Sequence, residues 1–170
     1  MSRYPVLYAG QRLTAPLLSS MIADTIVKNS NEDRAATTTL AADTDLTVTL
    51  EANAVYKVSI FIRYAALSVA GFQTDWTVPS GASGNRWALG AGSTQVSSDN
   101  VGGRWGVHTF ATACEYGDRN HATNLMGALE EAIVTTTNAG TLALRWAQAT
   151  SNATATRVGA GSCLIVQRLS

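Results

Sequence analysis

The 170-residue sequence contains little charge. Only 14% of its residues are Asp, Glu, Lys or Arg, the formal net charge is zero, and Lys28 and Lys57 are the only lysines among twelve basic residues. A surface with so few basic groups cannot neutralise the phosphates of a nucleic acid, which argues against nucleic acid as a partner. The exterior must be built from Thr, Ser, Asn, Gly and Ala, so we expect much of it to be covered by copies of the same chain or by a neighbouring protein.

Long apolar runs and cysteines are also scarce. No run of eighteen apolar residues is present, so membrane insertion is not expected. The start, MSRYPVLYAG, has no apolar core before a small-residue cleavage site, so we expect a chain made in the cytoplasm. Cys114 and Cys163 are too few for a disulfide framework and too far apart for a local metal or redox motif, which predicts two buried thiols. The length favours one domain.

Alternation of apolar and polar residues dominates the chain after residue 31. In Val55–Tyr64, Tyr56 and every second residue after it share one apolar face, which predicts a long strand with that face in a core. Gly71–Val78 repeats the pattern and places Trp76 in the core. Two strands, one ending AIVTTT and the other reading TLALRW, flank a turn at 138–140 and predict a hairpin.

Less regular stretches complete the predicted β architecture. We expect a short Thr-rich strand at Ala36–Leu40, a turn at Asp43–Asp45 and an exposed polar loop at Cys114–Asn124. With about eight to ten short strands and no alternation of strands with helices, the sequence predicts an all-β fold, either a β-sandwich or a jelly roll.

The N-terminal segment carries the helical signal of the sequence. Residues 2–12 have no periodicity and are interpreted as an extended arm. Thr14 is a predicted N-cap with Pro16 in the first turn, and an apolar stripe then predicts a helix of about three turns ending near residues 24–28. The stripe consists of Leu17, Leu18, Met21 and Ile22. Two roles remain open for this helix: plugging one end of its own β domain, or meeting the same helix of neighbouring subunits.

The last strand, within Ser162–Leu169, is apolar on both faces. Cys163 and Ile165 point one way, and Leu164 and Val166 point the other. A sheet of a sandwich normally exposes one face to solvent, so the outer face of this strand is expected to be covered by the N-terminal helix or by another subunit. The candidate contact residues are Leu17, Met21, Leu164 and Val166.

The sequence offers no strong catalytic, cofactor or metal signature. Its glycine-containing stretches match neither a nucleophile elbow nor a phosphate loop. The potential metal ligands His108, His121, Glu115 and Asp118 do not have the spacing of a known site. Glu130 and Glu131 are adjacent in a strand and must point to opposite faces, so one of them is expected to be buried or at an interface, paired with Arg145. We predict no catalytic residue, no cofactor and no metal.

Aromatic residues in loops suggest a further hypothesis. Exposed aromatic rings on β-sandwich proteins stack against sugar rings. Trp87, Trp105 and Tyr116 lie in Gly-rich or polar stretches and are the candidate glycan contacts, with packing or a subunit interface as the alternative.

Four segments carry a resemblance to a known group of proteins. They are AGQRLTAPLL, TTTLAADTDLTVTLEANAVYKVSIFIRY, WTVPSGASGNRW and AGTLALRWAQATSNATATRVGAGSCLIVQRL, which together cover well over half of the chain and leave out residues 91–124. They look like small structural proteins encoded by tailed bacteriophages and prophages of actinobacteria. The closing strands are similar to the end of a tumour-necrosis-factor-like jelly roll.

The resemblance implies a homotrimeric component of the virion, either a capsid decoration or a minor tail or fibre protein, without enzymatic activity. Residues 1–30 would form the arm and helix used for attachment and trimer contact, and residues 31–170 the jelly roll. The partners it implies are sister copies and phage capsid or tail proteins, and the loop aromatics give binding of a host surface glycan as the alternative function. Residues 2–12 are the candidate docking arm.

Overall fold

The computed structural model describes residues 5–93 and 103–170, with the side chains of residues 103–105 outside that description. Over these described residues the chain forms one short helix and twelve strands. The elements are α1 (Ala15–Ser19), β1 (Asp24–Val27), β2 (Glu32–Arg34), β3 (Ala41–Leu50), β4 (Ala54–Ala65), β5 (Phe72–Thr77), β6 (Arg86–Ala91), β7 (Gly103–His108), β8 (Cys114–Tyr116), β9 (Met126–Thr136), β10 (Gly140–Ala147), β11 (Thr156–Val158) and β12 (Cys163–Arg168).

These strands form two antiparallel sheets. The large sheet has the order β1-β12-β4-β9-β6-β7, with β11 also pairing β4 and β2 pairing β11, and the small sheet has the order β3-β10-β5-β8. From β3 onwards the chain passes repeatedly between the two sheets, as in a jelly roll. The predicted all-β sandwich is confirmed, and β6 and β7 extend one edge of the large sheet.

The core lies between the two sheets and follows the period-two pattern of the longest strand. Tyr56 and the alternate residues after it in β4 are buried, as predicted, and Trp76 is also in the core. Tyr64 stacks on Phe72 of the opposite sheet with ring centroids 4.3 Å apart, and Phe72 lies 6.1 Å from Trp146. Each such aromatic side chain contributes about 1.5–3 kcal/mol through burial.

The predicted hairpin at residues 138–140 is wrong, although both of its strands exist. β9 pairs with β4 and β6 in the large sheet, whereas β10 pairs with β3 and β5 in the small sheet. The turn therefore crosses between the sheets. Thr137 and Asn138 donate hydrogen bonds to the carbonyl oxygens of Gly81 and Ser80, which holds the crossing in place. Both strands have an apolar face that must be buried, and period-two alternation does not specify the partner strand.

The predicted three-turn helix is also wrong in length. Thr14 caps α1 by accepting a hydrogen bond from the Leu17 N–H, as expected, but α1 ends at Ser19 and contains no buried residue. Residues 24–27 instead form β1, which pairs with β12. A helix this short is marginal without packing, and the β-branched run Thr25-Ile26-Val27 favours a strand where an edge is available.

Three smaller predictions need correction. Residues 36–40 form no strand, and residues 43–45 lie within β3 rather than in a turn. The Asp43 carboxylate accepts hydrogen bonds from the N–H groups of Asp45 and Leu46, a turn-like arrangement inside a strand. Part of the predicted loop 114–124 forms β8, whose Cys114 and Tyr116 are buried.

A buried ion cluster joins the end of β1 to β2 and β3. The Lys28 ammonium is enclosed and contacts Asp43 Oδ1 at 2.9 Å and Glu32 Oε2 at 3.0 Å. Trp146 Nε1 donates to the other oxygen of Asp43, and Arg34 Nε donates to Glu32. The paired charges therefore tie the N-terminal strand to both sheets.

Candidate functional site

Glu130 lies in a closed polar cluster between the sheets. Tyr116 Oη donates to it at 2.6 Å, Trp76 Nε1 and Thr74 Oγ1 also donate, and the Arg86 guanidinium forms an ion pair with it. Both side chains of that ion pair are fully enclosed. The predicted buried carboxylate is confirmed, but its partner is Arg86, because Arg145 pairs with Asp75 across β10 and β5.

The electrostatics of this cluster are those of a structural element. Burial and the neighbouring Glu130 raise the pKa of the Tyr116 phenol well above its ordinary value. Burial lowers the pKa of Arg86, and Glu130 more than restores it, so the net pKa is raised. The cluster is enclosed and joins β6 and β9 of the large sheet to β5 and β8 of the small sheet.

The potential metal ligands are not brought together. In the part of the chain that the structure describes, no group of three or more His, Cys, Asp or Glu side chains could hold a metal ion. The Asp118 carboxylate is buried and accepts from Ser68 Oγ and the Asn120 N–H, and His121 Nδ1 accepts from the N–H groups of Thr123 and Asn124. Asp118 therefore links its loop to the turn at Ser68, and His121 stabilises the turn that follows it.

None of the described helices is long and apolar enough to cross a membrane.

The predicted contact residues of the last strand point inward. Leu164 and Val166 are 0% and 3% exposed and pack in the core of their own chain, so they are not available to another subunit. The outward residues of β12 are Cys163 and Ile165, and Ile165 is 37% exposed. The sequence pattern gave two apolar faces but did not specify which one faced the core.

The N-terminal candidates remain accessible. Leu17 is half-buried on α1, and Met21 is exposed beyond the end of the helix, so they do not form a helical stripe. Residues 5–23 display several large apolar side chains that are roughly half exposed or more. They are Val6, Leu7, Tyr8, Leu13, Leu18, Met21 and Ile22. Residues 2–4 of the predicted docking arm lie outside the described residues.

The three candidate glycan contacts separate in the structure. Tyr116 is buried against Glu130 and cannot contact a ligand at the surface. Trp87 is 57% exposed on β6 and faces outward beside Glu131 of β9. Trp105 pairs through its backbone with Leu89, and its side chain lies outside the described residues.

An apolar row crosses the outer face of the large sheet. Strand register places its members side by side on β1, β12, β4, β9 and β6, over roughly 19 Å at the normal strand spacing. We call this row the outer apolar band. It consists of Val27, Cys163, Phe61, Leu129 and Leu89. Val27 and Phe61 are 47% and 43% exposed. Sequence reasoning missed the band, because its members come from strands distant in the chain.

A cleft of about 600 Å³ opens on the same face, near the end of β9. We call it the Trp87 cleft; it is lined by Lys57, Ser83, Gly84, Asn85, Trp87, Glu131, Ala132, Ile133 and Thr135. One wall is held by paired backbone hydrogen bonds between Ser83 and Thr135, each 2.9 Å long. Gly84 has φ +134°, and a Cβ atom there would lie 2.2 Å from the Ile133 carbonyl oxygen, so this wall requires glycine.

Comparison with known proteins gives a weak similarity. No family model and no curated protein matches this chain. One solved structure to which it is similar is the tripod (BppUct-A-L) from the baseplate of bacteriophage Tuc2009, with 12% identity, a TM-score of 0.39, and coverage of 96% of this chain and 72% of the other. A similarity of this size carries no argument about function.

Proposed function

We propose that this chain is a non-enzymatic structural component of a bacteriophage particle. It associates as a homotrimer and is fixed to the particle, as a capsid decoration or a minor tail or fibre component, through its N-terminal segment. In this proposal it is made in the host cytoplasm and located in the virion. The resemblance of four sequence segments to phage structural proteins supports the setting, and the jelly-roll fold is compatible with it.

The outer apolar band is the observation that carries the proposed self-association. Contiguous exposed apolar surface on a chain with so little charge is unfavourable in water and is typical of a protein interface. Phe61 lies near the middle of the band, between Cys163 of β12 and Leu129 of β9. We place the contact between copies on the half of the face formed by β1, β12 and β4, where Ile165 adds to the apolar surface.

The N-terminal segment is the proposed attachment element. Its exposed apolar side chains precede β1, and the first 23 residues contain Arg3 and Arg12 but no acidic residue. A basic and apolar segment at the edge of a nearly neutral domain fits a docking site with apolar pockets and acidic rims on a particle protein. Docking of this segment would not disturb the core, because α1 contributes no buried residue.

Sedimentation of the purified chain tests the self-association. The expected mass is near three times that of the 17.8 kDa chain. Phe61→Asp should give single copies, because a carboxylate in the band cannot be buried without a partner. Val69→Asp, at a site 62% exposed in a turn outside the large sheet, is the matched control and should remain a trimer.

Imaging of particles with a gold-labelled chain tests the location. Label at regular positions on the capsid or tail is expected. Single copies at every concentration, together with particles that carry no label, would refute the proposed function.

A further inference from the structure

We propose that the Trp87 cleft binds a neutral sugar residue of a polysaccharide. This site is separate from the proposed contact between copies and goes beyond the structural role. Its volume of about 600 Å³ is within the usual range for small-molecule sites, roughly 300–1,000 Å³. The chemistry of its lining selects the class of ligand.

Trp87 supplies the stacking surface. It lies on a strand hydrogen-bonded on both sides, to β7 and β9, and is therefore held more rigidly than a loop aromatic. More than half of the side chain is exposed, although burying an indole is strongly favourable. The C–H face of a pyranose ring can cover this indole and leave its hydroxyl groups directed at the polar lining.

The polar lining matches a polyhydroxy compound. Asn85, Ser83 and Thr135 provide neutral donors and acceptors, and Glu131 and Lys57 provide one acceptor group and one donor group. The two opposite charges cancel, so the cleft does not select phosphates or cations. Carboxylate and amide groups beside an aromatic ring can hold neighbouring hydroxyl groups in fixed directions.

A second copy of the chain fits the cleft less well than a sugar does. Protein packed over the cleft would have to bury Lys57 and Glu131, at a cost of several kcal/mol per ion unless both were fully satisfied. A sugar keeps them hydrogen-bonded and partly hydrated. The wall formed by Ser83, Gly84 and Thr135 is already in place, so little ordering is needed on binding.

Saturation-transfer NMR on the full chain tests the inference. The probes are the methyl glycosides of glucose, galactose, mannose, rhamnose, arabinose and N-acetylglucosamine, each up to about 20 mM so that a weak dissociation constant, on the order of 1 mM, is still detected. We expect transfer to at least one probe. Trp87→Ala should weaken binding at least about tenfold, as for a central contact residue. Glu131→Gln should weaken it less, and Phe61→Ala, on the other half of the face, should leave it unchanged.

Three outcomes would overturn the inference. They are absence of transfer to every probe, unchanged binding in both Trp87→Ala and Asn85→Ala, and a lower subunit number in Trp87→Ala, which would assign the cleft to the contact between copies. Circular dichroism of each variant separates a loss of binding from a loss of fold. Loss of the trimer in Phe61→Asp does not bear on sugar binding, so the two proposals fail independently.

Discussion

Lys28 illustrates how a chain with few charges uses one of them. Its ammonium is enclosed among Glu32, Asp43 and Asp45, and each carboxylate lies within 3.3 Å. Burial tends to lower the pKa of this lysine, but the hydrogen bonds to Asp43 and Glu32 outweigh it, so its pKa is raised. The Lys28 side chain is therefore charged at neutral pH.

Glu32 makes the cluster sensitive to acid. Burial tends to raise its pKa, but hydrogen bonds from Lys28 and Arg34 lower it to about 2, against 4.5 for the free side chain. A depressed carboxyl pKa gives stability that is complete above the unfolded pKa and is lost as the pH falls toward the folded one. We predict that the free energy of unfolding in urea decreases between about pH 4.5 and pH 2, and decreases less steeply in Glu32→Gln. Equal slopes for the two proteins would contradict this assignment.

Glu130 and Glu131 provide a matched pair for testing burial. Glu130→Ala leaves the enclosed Arg86 without its counter-ion and should lower the free energy of unfolding by about 3–5 kcal/mol. Glu131→Ala, one residue away on the outer face, should change it by no more than about 0.5 kcal/mol. Urea denaturation followed by circular dichroism measures both. A small effect of Glu130→Ala would mean that the cluster relaxes or admits water.

At the scale of elements, the segment before β1 and β1 itself have different roles: the first is proposed for attachment, and the second is part of the fold. Residues 5–22 add no buried side chain, whereas β1 covers the edge of β12 and leads into Lys28. The proposed docking segment can therefore evolve or move without cost to the core. The strand after it cannot, because an uncovered strand edge is prone to pair with other chains.

Two truncations distinguish these parts. Removal of residues 1–22 should keep the melting temperature within about 3 °C and abolish attachment to particles. Removal of residues 1–28 also deletes β1 and the buried ammonium, and should cause a large fall in melting temperature with aggregation. Differential scanning fluorimetry and light scattering report both effects. Unfolding of the shorter truncation would show that the segment is part of the fold.

At the scale of the whole molecule, one face of the large sheet contains two different surfaces. The outer apolar band crosses this face from β1 to β6, and the proposed contact between copies uses its half on β1, β12 and β4. The Trp87 cleft lies toward β9 and β6. The apolar surface suits permanent burial, and the polar cleft suits a reversible ligand. Proposed assembly and proposed recognition can therefore coexist in one jelly roll.

The sequence by itself determined the all-β class, the strands β4, β5, β9, β10 and β12, the core faces of β4 and β5, the helix cap at Thr14 and the burial of one of two adjacent glutamates. Each of these depends on neighbours in the chain, which period-two alternation and local hydrogen bonding describe. Of the candidate binding residues, Trp87 remained a surface candidate, whereas Tyr116, Leu164 and Val166 did not.

Tertiary structure decided which strands pair, which apolar face of β12 points inward, and that Arg86 is the partner of Glu130. It also created the outer apolar band and the Trp87 cleft. These features bring together residues from strands far apart in sequence, and local patterns do not encode pairing order or the choice between two apolar faces. The physical reason is that the packing of the two sheets decides which apolar side chains are buried. The apolar side chains that remain exposed form an outer surface only as a result of that packing.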